Sequence, residues 1–278
     1  YPNFNNPSTA ESLSYSARKK ITAEKKYASA GFIVSDLVPV GTITNLFEDK
    51  LGTTGPDEIV VDIGKRQGIE KGDQFTVYTL DRYIYHPVLE GDMFEKLGEY
   101  TRRKGYEHKM VPHPGKPVGH RVMIQGVVEI TELGDEISYA RVVKAYESIE
   151  AGYLLTPYKK YEDKTSAFSE IDKSVEGYIV ASKGDKIGIS EGDFIYIDKG
   201  WENEVRPGDR FEVYSIPVVD DKVWYKFGFG KKPLLPYVRG EIKIIDTQKK
   251  TATAIVVKSR IDMVIGDQIR FKRSNHPG

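Results

Sequence analysis

One segment of the chain occurs twice. Residues 41–78 read GTITNLFEDKLGTTGPDEIVVDIGKRQGIEKGDQFTVY, and residues 177–214 read GYIVASKGDKIGISEGDFIYIDKGWENEVRPGDRFEVY. They align without a gap at a shift of 136 (177 − 41). A second pair follows, GVVEITELGDEISYARVVKAYESIEAG at 126–152 and GEIKIIDTQKKTATAIVVKSRIDMVIG at 240–266, at a shift of 114 (240 − 126). The connection between the two segments is therefore 22 residues longer in the first copy (136 − 114). Such self-similarity restricts the chain to one folding unit used twice. The residues that recur are glycines, strand apolar residues and turn aspartates, and they do not form a catalytic set.

Each copy reads as a series of short strands. Ile59–Ile63 and Phe194–Ile197 are apolar runs bounded by Gly64 and Gly200. Tight turns follow at Gly72-Asp73 and Gly208-Asp209, where glycine supplies a positive φ and aspartate bonds nearby amides. Strands are then expected at 74–78 and 210–214, as hairpins 126–132 with 137–144 and 240–246 with 251–258, and after closing turns at Gly152 and Gly266. Six or so short strands in about a hundred residues would expose their edges as a flat sheet. The expected fold is mostly β: two tandem small β-barrel-like domains, a short N-terminal helix, and a helical insertion in the first domain. The domains are read as 1–30 linker and helix, 31–158 first β domain, 159–176 linker, 177–273 second β domain and 274–278 tail. The helix spans 9–29 behind a Ser8…Glu11 capping box. The insertion, 81–117, is read as a polar loop with a helix near 93–104, too polar to join a core and free to serve as a docking element.

Composition narrows the function. Lys plus Arg and Asp plus Glu each total 41, so the basic surplus of a nucleic-acid binder is missing. The absence of cysteine excludes disulfides, thiolate metal sites and cysteine nucleophiles. Apolar runs are too short for a membrane-spanning helix. The opening YPNFNNPSTAES, with no apolar leader, reads as a mature or trimmed start.

The candidate chemistry is thin. His86, His108, His113 and His120 fall in one region, but their spacing matches no metal-ligand pattern, so no metal or other cofactor is expected. Asp62 with Asp73, and Asp198 with Asp209, could be paired carboxylates of a glycosidase, but turn and strand-end roles suit their positions better. Tyr83, Tyr85, Phe94 and Tyr100 in the first copy, and Trp224, Tyr225, Phe227 and Phe229 in the second, are candidates for partner contact. The second set could instead stack on glycan. There is no phosphate loop, nucleophile elbow or zinc-protease helix, and the chain is expected to be non-enzymatic.

The order of these motifs carries a resemblance. Asp57 to Tyr78, His113-Pro114-Gly115-Lys116-Pro117-Val118-Gly119, Gly126 to Leu155, Gly177 to Tyr214 and Gly240 to Ile269, with Gly31 to Ser35 ahead of them, resemble the C-terminal domain of flagellar assembly protein T, as found in the LysM-type type IV pilus secretin-associated proteins. The resemblance covers most of residues 31–271. It implies a periplasmic, outer-membrane- or wall-associated protein of a Gram-negative bacterium. It also implies several copies around an outer-membrane secretin or envelope ring, with peptidoglycan contact through a LysM module ahead of this region. A flagellar basal-body ring component, a glycan-binding module and a wall hydrolase are the alternatives.

Overall fold

The computed structural model describes residues 26–47, 50–90, 115–159, 174–216 and 235–272. Most of these residues are β-strand. In the first copy the strands are β1 (Phe32–Val34), β2 (Gly41–Leu46), β3 (Glu58–Val61), β4 (Gln74–Glu90), β5 (Gly115–Glu132), β6 (Ser138–Ala145) and β7 (Leu154–Pro157). In the second they are β8 (Glu176–Ser182), β9 (Phe194–Ile197), β10 (Arg210–Ser215), β11 (Tyr237–Thr247), β12 (Ala252–Ser259) and β13 (Gln268–Phe271). Of the expected N-terminal helix, residues 26–28 are helical and Ser29 is a turn, and 9–25 lie outside the described residues. The expected helix near 93–104 also lies outside them.

Both copies build the same barrel. In the second, the strands close in the order β10-β11-β12-β9-β8-β13. In the first, the order is β5-β4-β7-β2-β3-β6, and pairing of β6 with β5 completes the circle. Replacing each strand by its repeat partner converts one order into the other. The register agrees as well: Ile59 faces Ala140 where Ile195 faces Ala254, and Val61 faces Ser138 where Ile197 faces Ala252. Closure removes the edge strands that short sheets would expose.

The cores follow from period-two alternation. Ile43, Ile59, Phe75, Ile130, Ala140 and Leu155 fill the first barrel, and Ile179, Ile195, Phe211, Ile244, Ala254 and Ile269 fill the second from the equivalent positions. The turn glycines also correspond. Gly72 and Gly208 sit at φ 94° and 97°, in the left-handed region that a β-carbon disfavours. Gly64 and Gly200 are glycines for a different reason. Their backbones are extended, but a β-carbon would lie 2.6 Å from the Gly134 carbonyl oxygen and 2.3 Å from that of Gln248.

The chain's two compact units do not follow the repeat boundary. The first holds 38–79 and 123–162, with 1–30; the second holds 31–37, 80–122 and 163–278. The second barrel thus shares its unit with residues from the first copy. This corrects the reading of 81–117 as a loop. Residues 81–90 and 115–117 are strand, distal continuations of β4 and β5 that run beyond the positions paired in the barrel. We call 80–90 with 115–122 the arm. It is not too polar for a core, since Ile84, His86 and Arg121 are buried in it.

Candidate functional site

The repeated aspartates hold the turns together. Asp73 Oδ2 accepts from the Glu70 amide, and Asp209 Oδ2 from the Arg206 amide, both at 2.9 Å. The Thr42 amide donates to Asp62 Oδ1, and the Tyr178 amide to Asp198 Oδ1 at 2.7 Å. The carboxylates that could have formed acid–base pairs are therefore bonded to backbone amides: Asp73 and Asp209 within their own turns, as short acidic side chains commonly are, and Asp62 and Asp198 across to β2 and β8, 20 residues earlier. Asp193 and Asp267 repeat the device, accepting from the Ser190 and Val264 amides at 3.0 and 2.9 Å.

The second unit contains the richer constellation, where the arm and β1 meet the second barrel. β1 pairs antiparallel with β5 (Phe32 with Val122, Val34 with His120). Thr251, just ahead of β12, and Thr253 on it donate through their hydroxyls to the carbonyls of Ile33 and Gly31, at 2.5 and 2.9 Å. Ile33, Ile84 and Val118 pack on Val180, Ala181 and Tyr196, which point out of the barrel. This explains why Phe194-Ile195-Tyr196-Ile197 is buried throughout: one face lines the barrel and the other lies beneath added strands. Burial drives the Tyr196 phenol well above its ordinary range.

Two polar clusters pin the arm. Arg121 is 3 % exposed. Its guanidinium donates to Asp81 (Nε to Oδ2, 2.8 Å), to both carboxylate oxygens of Asp185 (2.6 and 2.9 Å) and to the Ser182 carbonyl (2.8 Å). Arg82 reaches Asp185 as well, at 2.5 Å. The hydrogen bond from Arg121 holds the Asp185 carboxyl below the usual carboxylate range. Partial burial works against ionisation of Asp81, but its bonds to Arg121 and to the Arg82 backbone outweigh that and lower it too.

The second cluster is centred on His86. Its Nδ1 accepts from the amides of Val88 and Leu89, at 3.1 and 2.8 Å. That geometry assigns the ring proton to Nε2, which faces Asp198 Oδ2 at 3.3 Å. Tyr178 meets the ring edge-on at 5.3 Å, and Lys199 Nζ lies 3.4 Å from Asp198 Oδ2. Burial opposes ionisation of Asp198, but the bonds from His86 and the Tyr178 amide prevail and hold it low. A cleft of about 280 Å³ opens beside the pair, lined among others by Leu89, Lys116, Lys199, Glu202 and Lys250.

Two of the aromatic residues expected to contact a partner are described. Tyr83 and Tyr85 stand on the arm with ring centroids 5.0 Å apart, and Tyr83 also meets His120 edge-on at 4.7 Å. Tyr85 is 45 % exposed. Phe94, Tyr100, Trp224, Tyr225, Phe227 and Phe229 lie outside the described residues, as do His108 and His113. His86 and His120 are separated by different partners, and among the described residues no group of three His, Asp or Glu side chains could hold a metal ion. Arg121, Asp81 and Asp185 were missed in the sequence. Their partners are 40 and 64 residues apart, and nothing local marks them.

No protein-family model and no curated protein matches the chain.

Proposed function

We propose that the chain is a non-catalytic structural protein of the Gram-negative periplasm, packing around an outer-membrane secretin or ring of the type IV pilus machine and helping to hold it at the cell wall. The observation that carries this reading is the use made of the repeated polar residues. In both barrels the same carboxylates bond backbone amides, within a turn (Asp73, Asp209) or across to β2 and β8 (Asp62, Asp198), so the duplicated chemistry builds scaffold. The resemblance of the motif order to that of the secretin-associated proteins supports the same reading. A strand arm fastened through the buried Arg121 guanidinium and carrying exposed Tyr85 is the kind of aromatic surface that protein interfaces favour.

The test is a photo-crosslinking side chain at Tyr85 in cells that assemble the pilus machine. Capture of a secretin or ring subunit is the expected result. Capture of peptidoglycan would favour the glycan-binding alternative, and a flagellar ring subunit the basal-body one. A chain that fractionates away from the envelope, with no crosslink, would overturn the proposal.

A further inference from the structure

The cleft beside His86 and Asp198 is formed where the end of the arm stands against turns of the second barrel. Leu89, Pro117 and Val118 give it an apolar wall. Its two carboxylates are already engaged. Asp198 accepts from the Tyr178 amide and faces His86 and Lys199, and Glu202 lies 3.3 Å from Lys249. The ammonium groups of Lys116 and Lys250, which also line the cleft, have no ion-pair partner among the described residues. Asn203 spends its side-chain oxygen on the Gly200 amide at 3.3 Å, which leaves its NH2 group as a further donor. What the cleft leaves unspent is therefore positive charge and hydrogen-bond donors beside an apolar wall.

The repeat shows that this surplus is particular to the second copy. Lys65 and Arg66 correspond to Trp201 and Glu202 at the shift of 136, and Asp135 and Glu136 to Lys249 and Lys250 at the shift of 114. In the first barrel these charges cancel: Arg66 pairs with Glu136, and Lys65 lies 3.8 Å from Asp135. In the second, both acids of the hairpin turn have become lysines, and a single glutamate faces them. Glu202 takes Lys249, and Lys250 is left over in the cleft. The fold does not require the exchange. The same backbone bonds hold both turns, from the amides of Lys65 and Arg66 to the carbonyls of Gly134 and Asp135, and from those of Trp201 and Glu202 to Gln248 and Lys249.

We propose that this cleft binds a small organic anion, its carboxylate or phosphate held by Lys116 and Lys250 and its apolar part laid on Leu89, Pro117 and Val118. A volume of about 280 Å³ is at the small end of ligand sites, so the ligand is of the size of a short-chain acid or a simple phosphate monoester. The site lies within the second unit and does not depend on the assembly role proposed above.

The experiment is an amide NMR titration of the whole isotope-labelled chain with hexanoate, hexyl phosphate, inorganic phosphate and hexanol. Either organic anion should shift the amides of 116, 118, 199–203 and 250–251 saturably. Hexanol, which lacks the charge, should leave them in place, and inorganic phosphate, which lacks the apolar part, should bind more weakly than hexyl phosphate. Tighter binding of hexanoate assigns the site to carboxylates and of hexyl phosphate to phosphates, and either supports the proposal. Lys116→Gln and Lys250→Gln should each weaken binding by about two- to fivefold, the range of an exposed ion pair. Lys250→Glu, which restores the residue type of the first copy, should weaken it further. Lys258→Gln, an exposed lysine of β12 outside the cleft, should change nothing. The amide spectra themselves report whether each variant keeps its fold. No saturable shift with either organic anion, equal shifts with hexanol, or binding that survives Lys116→Gln and Lys250→Glu in folded protein would each overturn the proposal.

Discussion

Arg121 shows how much of the second unit hangs on single side chains. One guanidinium satisfies two carboxylates and a carbonyl while almost fully withdrawn from water. Arg121→Leu should destabilise the second unit by about 1–3 kcal/mol, less than loss of one partner from a fully buried pair, because Asp81 and Asp185 are about two-fifths exposed and can rehydrate. Denaturant unfolding checks the figure. The sign of the pH dependence follows from the same bonds. Asp81, Asp185 and Asp198 are held below their unfolded values, which lie near ~4. Their contribution is complete above that range and is lost as pH falls through the lower folded values. Stability of the second unit should therefore hold from neutral pH to about 5 and fall below about 4. Arg121→Leu should make that fall shallower, and a parallel acid titration of the variant and the parent decides it. At the turns, Gly208→Val forces a β-branched residue to a positive φ and should cost on the order of 1 kcal/mol or more. An unchanged melting transition would make the glycine incidental.

At the scale of elements, the repeat was legible because both copies spend the same residues on the same turns. Gly72-Asp73 and Gly208-Asp209, read as turns in the sequence, keep matching φ values and matching amide bonds in the structure. The strand pairs that follow keep one register. The arm was not legible. Alternating apolar residues mark a buried face only when the buried residues are apolar, and here buried positions include His86 and Arg121, satisfied by Asp198 and Asp185 far along the chain. Polar composition in 81–90 thus read as exposure. The covered outer face of the second barrel did leave a trace: Phe194-Ile195-Tyr196-Ile197 lacks alternation, the mark of a strand buried on both sides. Ile84 should be the most sensitive apolar residue of the arm. Ile84→Ala is expected to cost about 2–4 kcal/mol. Hydrogen exchange should report the loss on β9, more than a hundred positions away in sequence, and protection of β9 that does not change would mean the arm adds little to the barrel.

For the whole molecule, the units and the repeats are different divisions of one chain. A duplicated barrel would ordinarily be self-sufficient, since each copy carries a complete set of strands and its own core. The second barrel, however, has an outer face adapted to cover. Val180 and Tyr196 stand where the first barrel has Thr44 and Val60, and Thr251 and Thr253 give their hydroxyls to the carbonyls of Ile33 on β1 and of Gly31 just before it. Taken alone, residues 163–278 would close the barrel and leave that face bare. Tyr196 would be exposed, and the Ser182 carbonyl and the Asp185 and Asp198 carboxylates would lose Arg121 and His86. The fragment should therefore fold with the same β signal but melt lower than the same unit in the whole chain. It should also bind a hydrophobic dye that the whole chain does not, as an exposed apolar patch would. Lengthening it to take in the whole linker from residue 159 should restore nothing, because the missing cover lies at 31–37 and 80–122. Equal melting of fragment and whole chain, with no dye binding, would show that the arm rests on the barrel without supporting it.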